Sequence, residues 1–265
     1  MRRSAIIGLA IFSALAIPTA PAVALVATYH YDNHQSGWNQ NETMLTPANV
    51  GPTTFGVLAQ VVLDSQVDAQ PLVDPHQQIN GLTPGNYLVV YVATEANTIY
   101  AINAANGKVL LSRNLGTPVP TPLSCGNNGP TVGINGTPVI DAAAQTLYVV
   151  TYTLMSGTPT HQLFALNLSD LTNKIPPVTV AASHTLSDGT TFNFNAKYQR
   201  QRTGLLLSFG IIYAGFGSFC DLSSNQARGW LLGWQDSTLA PLAANRLTDT
   251  LATFTCRPYG CLARA

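Results

Sequence analysis

Hydrophobic residues in the middle of the chain come in short runs separated by small polar turns. Leu88–Thr94 and Thr98–Ile102 are apolar, β-branched or aromatic, and Glu95–Asn97 connects them. Runs of this length and composition predict a β-hairpin. Asn106-Gly107 then supplies the positive φ angles of a tight turn, and Val109–Leu111 starts another apolar run. The pattern predicts three antiparallel strands in succession, which form a sheet meander.

The same strand pattern occurs three times in the 265 residues. The copies of the first strand are Gln70–Asp74, Thr137–Asp141 and Thr203–Leu207, those of the second are Val90–Ala93, Leu147–Val150 and Ile212–Gly215, and those of the third are Tyr100–Asn103, Phe164–Asn167 and Leu232–Gln235. Each second strand contains a tyrosine, and each third strand contains a small residue. These small residues are 64 and 68 positions apart, longer than common propeller repeats of roughly 40–50 residues. We therefore expect long loops.

Four strands per copy, with a fourth run after the turn, predict an all-β protein built from β-propeller blades. A β-sandwich with accidental internal similarity is the alternative. The propeller explains more, because the copies keep strand order, turn position and aromatic placement together. Closed propellers have about 4–8 blades, so three copies predict an incomplete ring, an open arc. Its sheet edge either stays exposed or causes self-association.

The run from Ala101 to Leu111 resembles the pyrroloquinoline-quinone-type, or quinoprotein-like, propeller repeat A-x-D-x-x-T-G-x-x-x-W. Asn103, Asn106 and Leu111 stand where that repeat has Asp, Thr and Trp, and Gly107 matches it. Tyr29–Asn39 and Leu45–Val50 are also similar to the segment before the first blade in bacterial members. The resemblance covers roughly residues 28–245 and implies four-stranded blades. The repeat-motif positions are Ala101, Asn103, Asn106, Gly107, Ala165, Asn167 and Gly233.

The first 24 residues have the pattern of a secretory signal. Arg2 and Arg3 are followed by the apolar stretch Ala5–Ile17 and by the small-residue site Ala22–Ala24. The apolar stretch is shorter than the roughly 20 residues of a permanent span, so an uncleaved anchor is the weaker alternative. We expect a secreted or periplasmic protein that has no membrane segment after cleavage.

The remaining chain divides into three parts. We expect a lead-in with an outer strand over 25–66, including a strand at Val57–Leu63, then propeller blades over 67–253 and an atypical tail over 254–265. The tail shows no strand alternation and no likeness to the copies. We interpret it as the result of truncation or a change of reading frame.

Charge and cysteine content narrow the function. Only 9% of the residues are charged and the net charge is zero, so no basic patch indicates nucleic acid. Four cysteines in an exported protein favour disulfides. We predict a pair between Cys125 and Cys220, which both lie in blade loops; isolated thiols are the alternative. Cys256 and Cys261 could form a small disulfide or half of a metal site.

No set of residues has the pattern of a catalytic site, and we assign no metal ligand. His30, Asp32 and His34 alternate as metal ligands could on a strand, but polar residues in a lead-in more often hydrogen-bond to loops. The stretch from Met155 to His161 is predicted to be a loop, with His161 on the surface.

Three functions remain open. The first is a non-catalytic binding or scaffold module with a protein or glycan partner and no cofactor. The second, implied by the resemblance, is a fragment of an oxidoreductase that uses pyrroloquinoline quinone and calcium. The third is an incomplete product without an independent function.

Overall fold

The computed structural model describes residues 24–40, 42–120, 129–221, 226–243, 246–247 and 250–251. These ranges contain strands, turns and loops, with one short 3-10 turn at Phe219–Asp221. No helix within them is long and apolar enough to cross a membrane. The all-β class is confirmed.

The first sheet is the predicted meander. Its strands are β1 (Leu72–Gln77), β2 (Tyr87–Ala93), β3 (Thr98–Asn103) and β4 (Val109–Asn114). They lie side by side in chain order and every pair is antiparallel. The β2–β3 connection turns at Asn97 with φ 61°, and the β3–β4 connection turns at Gly107 with φ 70°. Asn and Gly tolerate this left-handed conformation better than other residues.

The second sheet repeats this arrangement with longer strands. It contains β7 (Val139–Asp141), β8 (Thr146–Met155), β9 (Thr158–Asn167) and β10 (Asn173–Thr179), again in chain order. Ser156 and Gly157 have φ angles of 49° and 80°, as in a two-residue hairpin turn. The predicted loop over Met155–His161 is therefore wrong. This turn is so short that the polar residues after it continue the ladder as β9.

The third sheet has five strands. In it, β13 (Gln199–Gln201) and β14 (Leu206–Ser208) both pair with β15 (Ile211–Ser218), which is followed by β16 (Trp230–Gln235) and β17 (Arg246–Leu247). Two small hairpins occur along the chain between the large sheets. One pairs β5 (Val119–Pro120) with β6 (Thr131–Val132), and the other pairs β11 (Ser183–Thr185) with β12 (Thr191–Asn193). We call the three large sheets blades 1, 2 and 3.

The three blades share one register. In each blade a tyrosine lies opposite the small residue of the next strand. The pairs are Tyr91–Ala101, Tyr148–Ala165 and Tyr213–Gly233. A Cβ atom at Gly233 would lie 3.3 Å from the Tyr213 ring and 2.8 Å from Leu242. The small residue is needed there because the space above it is already filled.

The tyrosines also connect neighbouring blades. Tyr91 Oη donates to Leu168 O at 2.8 Å, and Tyr148 Oη donates to Asp236 O at 3.1 Å. Each acceptor lies in the turn that follows β9 or β16, so each hydroxyl bonds to the next blade. One apolar cluster fills the space between blades 1 and 2, and a second fills the space between blades 2 and 3. Stacking of four-stranded meanders in chain order defines β-propeller blades.

The entries to the first strands of the blades lie together. Gln70 N donates to Thr137 Oγ1 at 2.9 Å, and Leu205 N donates to Thr137 O at 2.9 Å. These bonds join the residues just before β1, β7 and β14. The first strands are therefore the inner strands of the blades.

The lead-in lies against these inner strands. Val26 pairs with Val73 of β1, and Ala27 O accepts a hydrogen bond from Ile140 N of β7 at 2.7 Å. The strand expected at Val57–Leu63, and with it the outer strand of the lead-in, does not form among the described residues. A strand needs a neighbour with free N–H and C=O groups, and the lead-in finds such groups on the inner strands.

Candidate functional site

One polar residue stands four positions before an inner strand in each blade. These residues are Asp68 before β1, Asn135 before β7 and Arg202 before β14. Because the strand entries are bonded together, the three side chains line one pocket, with a volume of about 360 Å³. Small-molecule sites measure roughly 300–1,000 Å³. We call this the inner pocket; its other lining residues are Tyr29, Val67, Thr137, Thr203 and Gly204.

Asn135 is the centre of a buried hydrogen-bond network behind the pocket. Its side chain is 4% exposed. Nδ2 donates to Asp68 Oδ2 at 2.7 Å and to Glu95 Oε1 at 2.6 Å. Oδ1 accepts from Arg200 Nε at 2.8 Å. One amide therefore joins Asp68 just before β1, Glu95 in the β2–β3 connection and Arg200 in blade 3. These bonds hold the pocket wall in place.

Glu95, which is buried, and Arg200, which is partly buried, are the ionisable groups that Asn135 contacts along with Asp68. Glu95 Oε2 accepts from Gly133 N at 2.6 Å. Burial raises the pKa of Glu95, and the hydrogen bonds from Gly133 and Asn135 act in the opposite direction. Burial also lowers the pKa of Arg200, whose guanidinium lies 5.7 Å from the Phe219 ring centroid. Both groups have partners inside the protein, as expected of a structural network.

Arg202 differs from the partly buried Arg200. Its side chain is exposed, and in the described part of the chain its guanidinium makes no hydrogen bond or ion pair. A guanidinium presents five N–H donors in a planar fork that matches a carboxylate or phosphate. Arg202 is therefore the pocket group with the greatest free capacity to bind an anion.

Tyr29 brings the lead-in into the pocket. Its ring stacks on His30, with 4.0 Å between the ring centroids. A Cβ atom at Gly204 would lie 2.6 Å from the Tyr29 Cβ, so glycine is required for this close approach. The tyrosine gives an otherwise polar pocket an aromatic wall.

The residues that the repeat pattern singled out lie elsewhere. Asn103 Oδ1 accepts from Ala105 N at 2.9 Å, and Asn106 Oδ1 accepts from Lys108 N at 3.0 Å. Asn167 Nδ2 donates to Thr172 Oγ1 at 3.0 Å. These three asparagines and Gly107 shape the turns after the third strands. Ala101, Ala165 and Gly233 lie within those strands.

The predicted disulfide falls partly outside the described residues. Cys220 lies in the 3-10 turn with φ 57°, and its thiol is not free. Cys125, Cys256 and Cys261 are outside the described ranges. The Cys125–Cys220 pair therefore stays a prediction.

Asp32 caps a turn in the lead-in. Its carboxylate accepts from His34 N at 2.8 Å and from Ser36 N at 3.2 Å. Hydrogen bonds from Ser36, first from its hydroxyl, lower the pKa of Asp32. Within the described ranges, no three His, Cys, Asp or Glu side chains are grouped as metal ligands.

The expected surface position of His161 is wrong. The residue is 2% exposed in β9, its Nε2 lies 2.8 Å from Gln199 O, and its ring stacks on Tyr152. It is buried because the tight turn before it makes this segment part of β9 in blade 2, where Phe194 and Phe216 pack against the imidazole ring. Burial lowers the pKa of His161 to about 4.

Sequence reasoning did not single out the pocket residues Asp68, Asn135 and Arg202. Their chemical types differ, so a search for repeated residues cannot find them. The three residues stand four positions before the starts of β1, β7 and β14. They do not stand at one common distance before the first-strand copies recognised in the sequence, so the strand starts seen in the structure were needed to find them.

These features place the chain in the class of β-propeller proteins. No protein-family model matches it, and no curated protein matches it. Among solved structures it is similar to the quinohemoprotein alcohol dehydrogenase ADHIIG from Pseudomonas putida HK5, with 15% identity and a TM-score of 0.44 over 71% of this chain and 21% of that chain.

Two further solved structures show similar likenesses. A quinohemoprotein alcohol dehydrogenase from Comamonas testosteroni has 11% identity and a TM-score of 0.40 over 70% of this chain and 31% of that chain. BamB from Moraxella catarrhalis has 15% identity and a TM-score of 0.35 over 66% of this chain and 41% of that chain. The chain thus spans well under half the length of each of the three.

Proposed function

We propose that the protein is a non-catalytic binding module whose inner pocket takes a small acidic saccharide. The observation that carries this proposal is the Arg202 guanidinium at the wall of a polar pocket, which has no hydrogen bond or ion pair among the described residues. Behind the wall, the Asn135 side chain makes three internal hydrogen bonds. The site can therefore hold a ligand without rearranging its buried charges.

The pocket offers complementary groups for each part of a uronic acid. Arg202 suits the carboxylate, because a guanidinium binds a carboxylate through two parallel hydrogen bonds. The Asp68 carboxylate and the Thr137 hydroxyl suit sugar hydroxyls, which both donate and accept. The Tyr29 ring provides a flat apolar surface for the C–H face of the sugar. A few placed polar groups and one aromatic wall are typical of small-ligand sites.

The oxidoreductase alternative needs calcium and pyrroloquinoline quinone, and the residues present do not fit calcium. The two carboxylates near the pocket, Asp68 and Glu95, both accept hydrogen bonds from Asn135. Glu95 is 4% exposed, and its two carboxylate oxygens already accept hydrogen bonds from Gly133 N and Asn135 Nδ2, whereas calcium takes about six to eight oxygen ligands. We therefore derive no step that involves the cofactor, and the binding module remains the proposal.

Binding of D-glucuronate tests the proposal, with D-glucose as the matched neutral sugar. We expect saturable binding of glucuronate and at least tenfold weaker binding by Arg202→Gln, since hydrogen bonds to a charged group contribute roughly 1.5–3 kcal/mol. Arg202→Lys keeps the charge but loses the paired donors, so its affinity should lie between the two. Isothermal titration calorimetry measures the glucuronate affinity of the wild type and of both variants.

The neutral sugar and the quinone are the controls for this titration. Glucose should bind more weakly than glucuronate, and its affinity should not change in Arg202→Gln. Pyrroloquinoline quinone with calcium should show no stoichiometric binding. Equal glucuronate affinity in the wild type and Arg202→Gln, or no glucuronate binding at all, contradicts the proposal, and stoichiometric quinone binding favours the oxidoreductase.

We also propose that the protein is exported, cleaved after Ala24 and closed by a Cys125–Cys220 disulfide. The pattern of residues 1–24 and the bound state of the Cys220 thiol support this. Intact mass spectrometry of secreted material, followed by mapping of disulfide-linked peptides, tests it. A chain that keeps residues 1–24, or a linked peptide pair that joins Cys220 to a cysteine other than Cys125, contradicts it.

A further inference from the structure

The repeat tyrosine of blade 3 lacks the neighbour that the other two tyrosines have. Tyr91 and Tyr148 are each 3% exposed, and their hydroxyls donate to a turn carbonyl of the next blade. Tyr213 occupies the same register position, but it is only partly buried, and its hydroxyl has no partner among the described residues. In the part of the chain that the structure describes, the Tyr213 hydroxyl therefore lacks the turn carbonyl that the other two tyrosines bind.

The surroundings of Tyr213 show the same difference. Leu231 is 47% exposed, whereas Ile99 and Leu163, at the matching position of blades 1 and 2, are 1% and 0% exposed. Ile211 and Gly215 on the same side of β15 are also partly exposed. We call Ile211, Tyr213, Gly215 and Leu231 the Tyr213 face. Its equivalents in the other two blades are covered by the next blade.

Blade 1 has an exposed apolar segment beside it. In the two interfaces present, a tyrosine face packs against the opposite side of the next blade. On that opposite side of blade 1, Val92 and Ile102 are each 7% exposed, whereas Val57, Leu58 and Val62 of the segment Val57–Val62 are 87%, 92% and 94% exposed. This segment contacts the β3–β4 turn, where a Cβ atom at Gly107 would lie 2.6 Å from the Ala59 Cβ. Asp64, two residues after this segment, accepts a hydrogen bond from Thr94 Oγ1 in the β2–β3 connection at 2.8 Å, which attaches the segment to blade 1.

The two open surfaces match in polarity. No charged residue occurs between Glu42 and Asp64, and the Tyr213 face contains none. Arg246 of β17 is the cross-strand partner of Leu231, so an exposed charged residue borders the Tyr213 face at its outer end. Apolar area left open on both ends of a stack of blades favours burial of one end against the other.

We propose that a second copy of this chain covers the Tyr213 face with the exposed segment Val57–Val62 that lies beside its blade 1. The contact continues the blade 1–blade 2 and blade 2–blade 3 interfaces, and Tyr213 Oη then donates to a turn carbonyl of the partner. The same contact forms again at the other ends of the two copies. Such head-to-tail contacts close a ring when the rotation permits. Two copies of the three described blades give six, within the roughly 4–8 of closed propellers.

Sedimentation velocity over a concentration series tests the contact. We expect a dimer of the wild-type chain, and at least tenfold weaker association for Leu231→Lys and for Val62→Lys, because each change places an unpaired charge in an apolar contact. Tyr213→Phe removes only the hydroxyl and should weaken association several-fold. Met155→Lys is the matched control: Met155 is 44% exposed but lies in blade 2, so the dimer should persist.

Three outcomes overturn the proposal. The first is a monomer at every concentration. The second is a dimer that neither Leu231→Lys nor Val62→Lys weakens. The third is a series of species larger than a dimer, which indicates an open chain of copies. Tyr213→Phe serves if a lysine variant fails to fold, because it adds no charge; unchanged association in that variant also counts against the contact. Sugar binding at the inner pocket is independent of all these outcomes.

Discussion

Replacement of Trp230 by alanine is expected to lower the free energy of unfolding by about 3–5 kcal/mol, the range for deletion of a buried tryptophan side chain. Trp230 is 2% exposed and begins β16 in the cluster between blades 2 and 3. Its ring centroid lies 6.1 Å from that of Phe192 and 6.0 Å from that of Phe194. Its loss leaves a cavity that these neighbours only partly fill.

Chemical denaturation monitored by far-ultraviolet circular dichroism measures this change. Phe209→Ala is the matched control, because it also deletes an aromatic ring, but Phe209 is fully exposed in the β14–β15 turn. Its effect should stay within about 0.5 kcal/mol. A loss below about 1 kcal/mol for Trp230→Ala would contradict the burial of Trp230 in the cluster between blades 2 and 3.

Acidification from pH 7 to pH 4.5 is expected to destabilise the protein by about 2–3 kcal/mol through His161 alone. Burial lowers the pKa of His161 to about 4 from the usual 6.5, and backbone groups of Gln199 and Thr151 act in the opposite direction. Between these two pH values the unfolded chain binds a proton that the folded chain does not. The contribution of neutral His161 to the free energy of unfolding is therefore fully present above pH 6.5 and is lost as the pH falls toward 4.

The difference between the wild type and His161→Gln isolates this contribution. Glutamine can still donate to Gln199 O but does not titrate. Glu95 has a raised pKa and opposes the loss in acid, but it contributes equally to both proteins. Urea denaturation at pH 7 and pH 4.5 should show a larger loss for the wild type by about 2–3 kcal/mol. Equal losses in both proteins would mean that His161 is solvated.

Much of the blade architecture could be predicted from local pattern. The hairpin over residues 88–102 and the turn at Gly107 form as expected, because β-branched runs and positive-φ turn residues act over a few residues. The tyrosine and small-residue positions of the three copies also fall into one register. Two local expectations failed, at Val57–Leu63 and at Met155–His161. In both cases the available hydrogen-bonding neighbour, and not the composition, decided whether a strand formed.

The inner pocket could not be predicted in the same way. Asp68, Asn135 and Arg202 are far apart in the chain and chemically unlike, and each lies in a polar stretch that resembles an ordinary loop. Only the bonds between the strand entries bring them to one wall. The burial of His161 likewise depends on aromatic residues from blade 3 and the connection before it.

The amino-acid sequence alone was sufficient to predict the class of fold. Strand periodicity, turn residues and internal copies are properties that can be recognised without knowledge of tertiary contacts. The tertiary structure decided which polar residues meet, which histidine is buried and which blade faces stay open. These properties depend on side chains from distant segments that share one small volume, where burial and hydrogen bonding set their chemistry. The order of residues along the chain does not show directly which distant side chains lie close together.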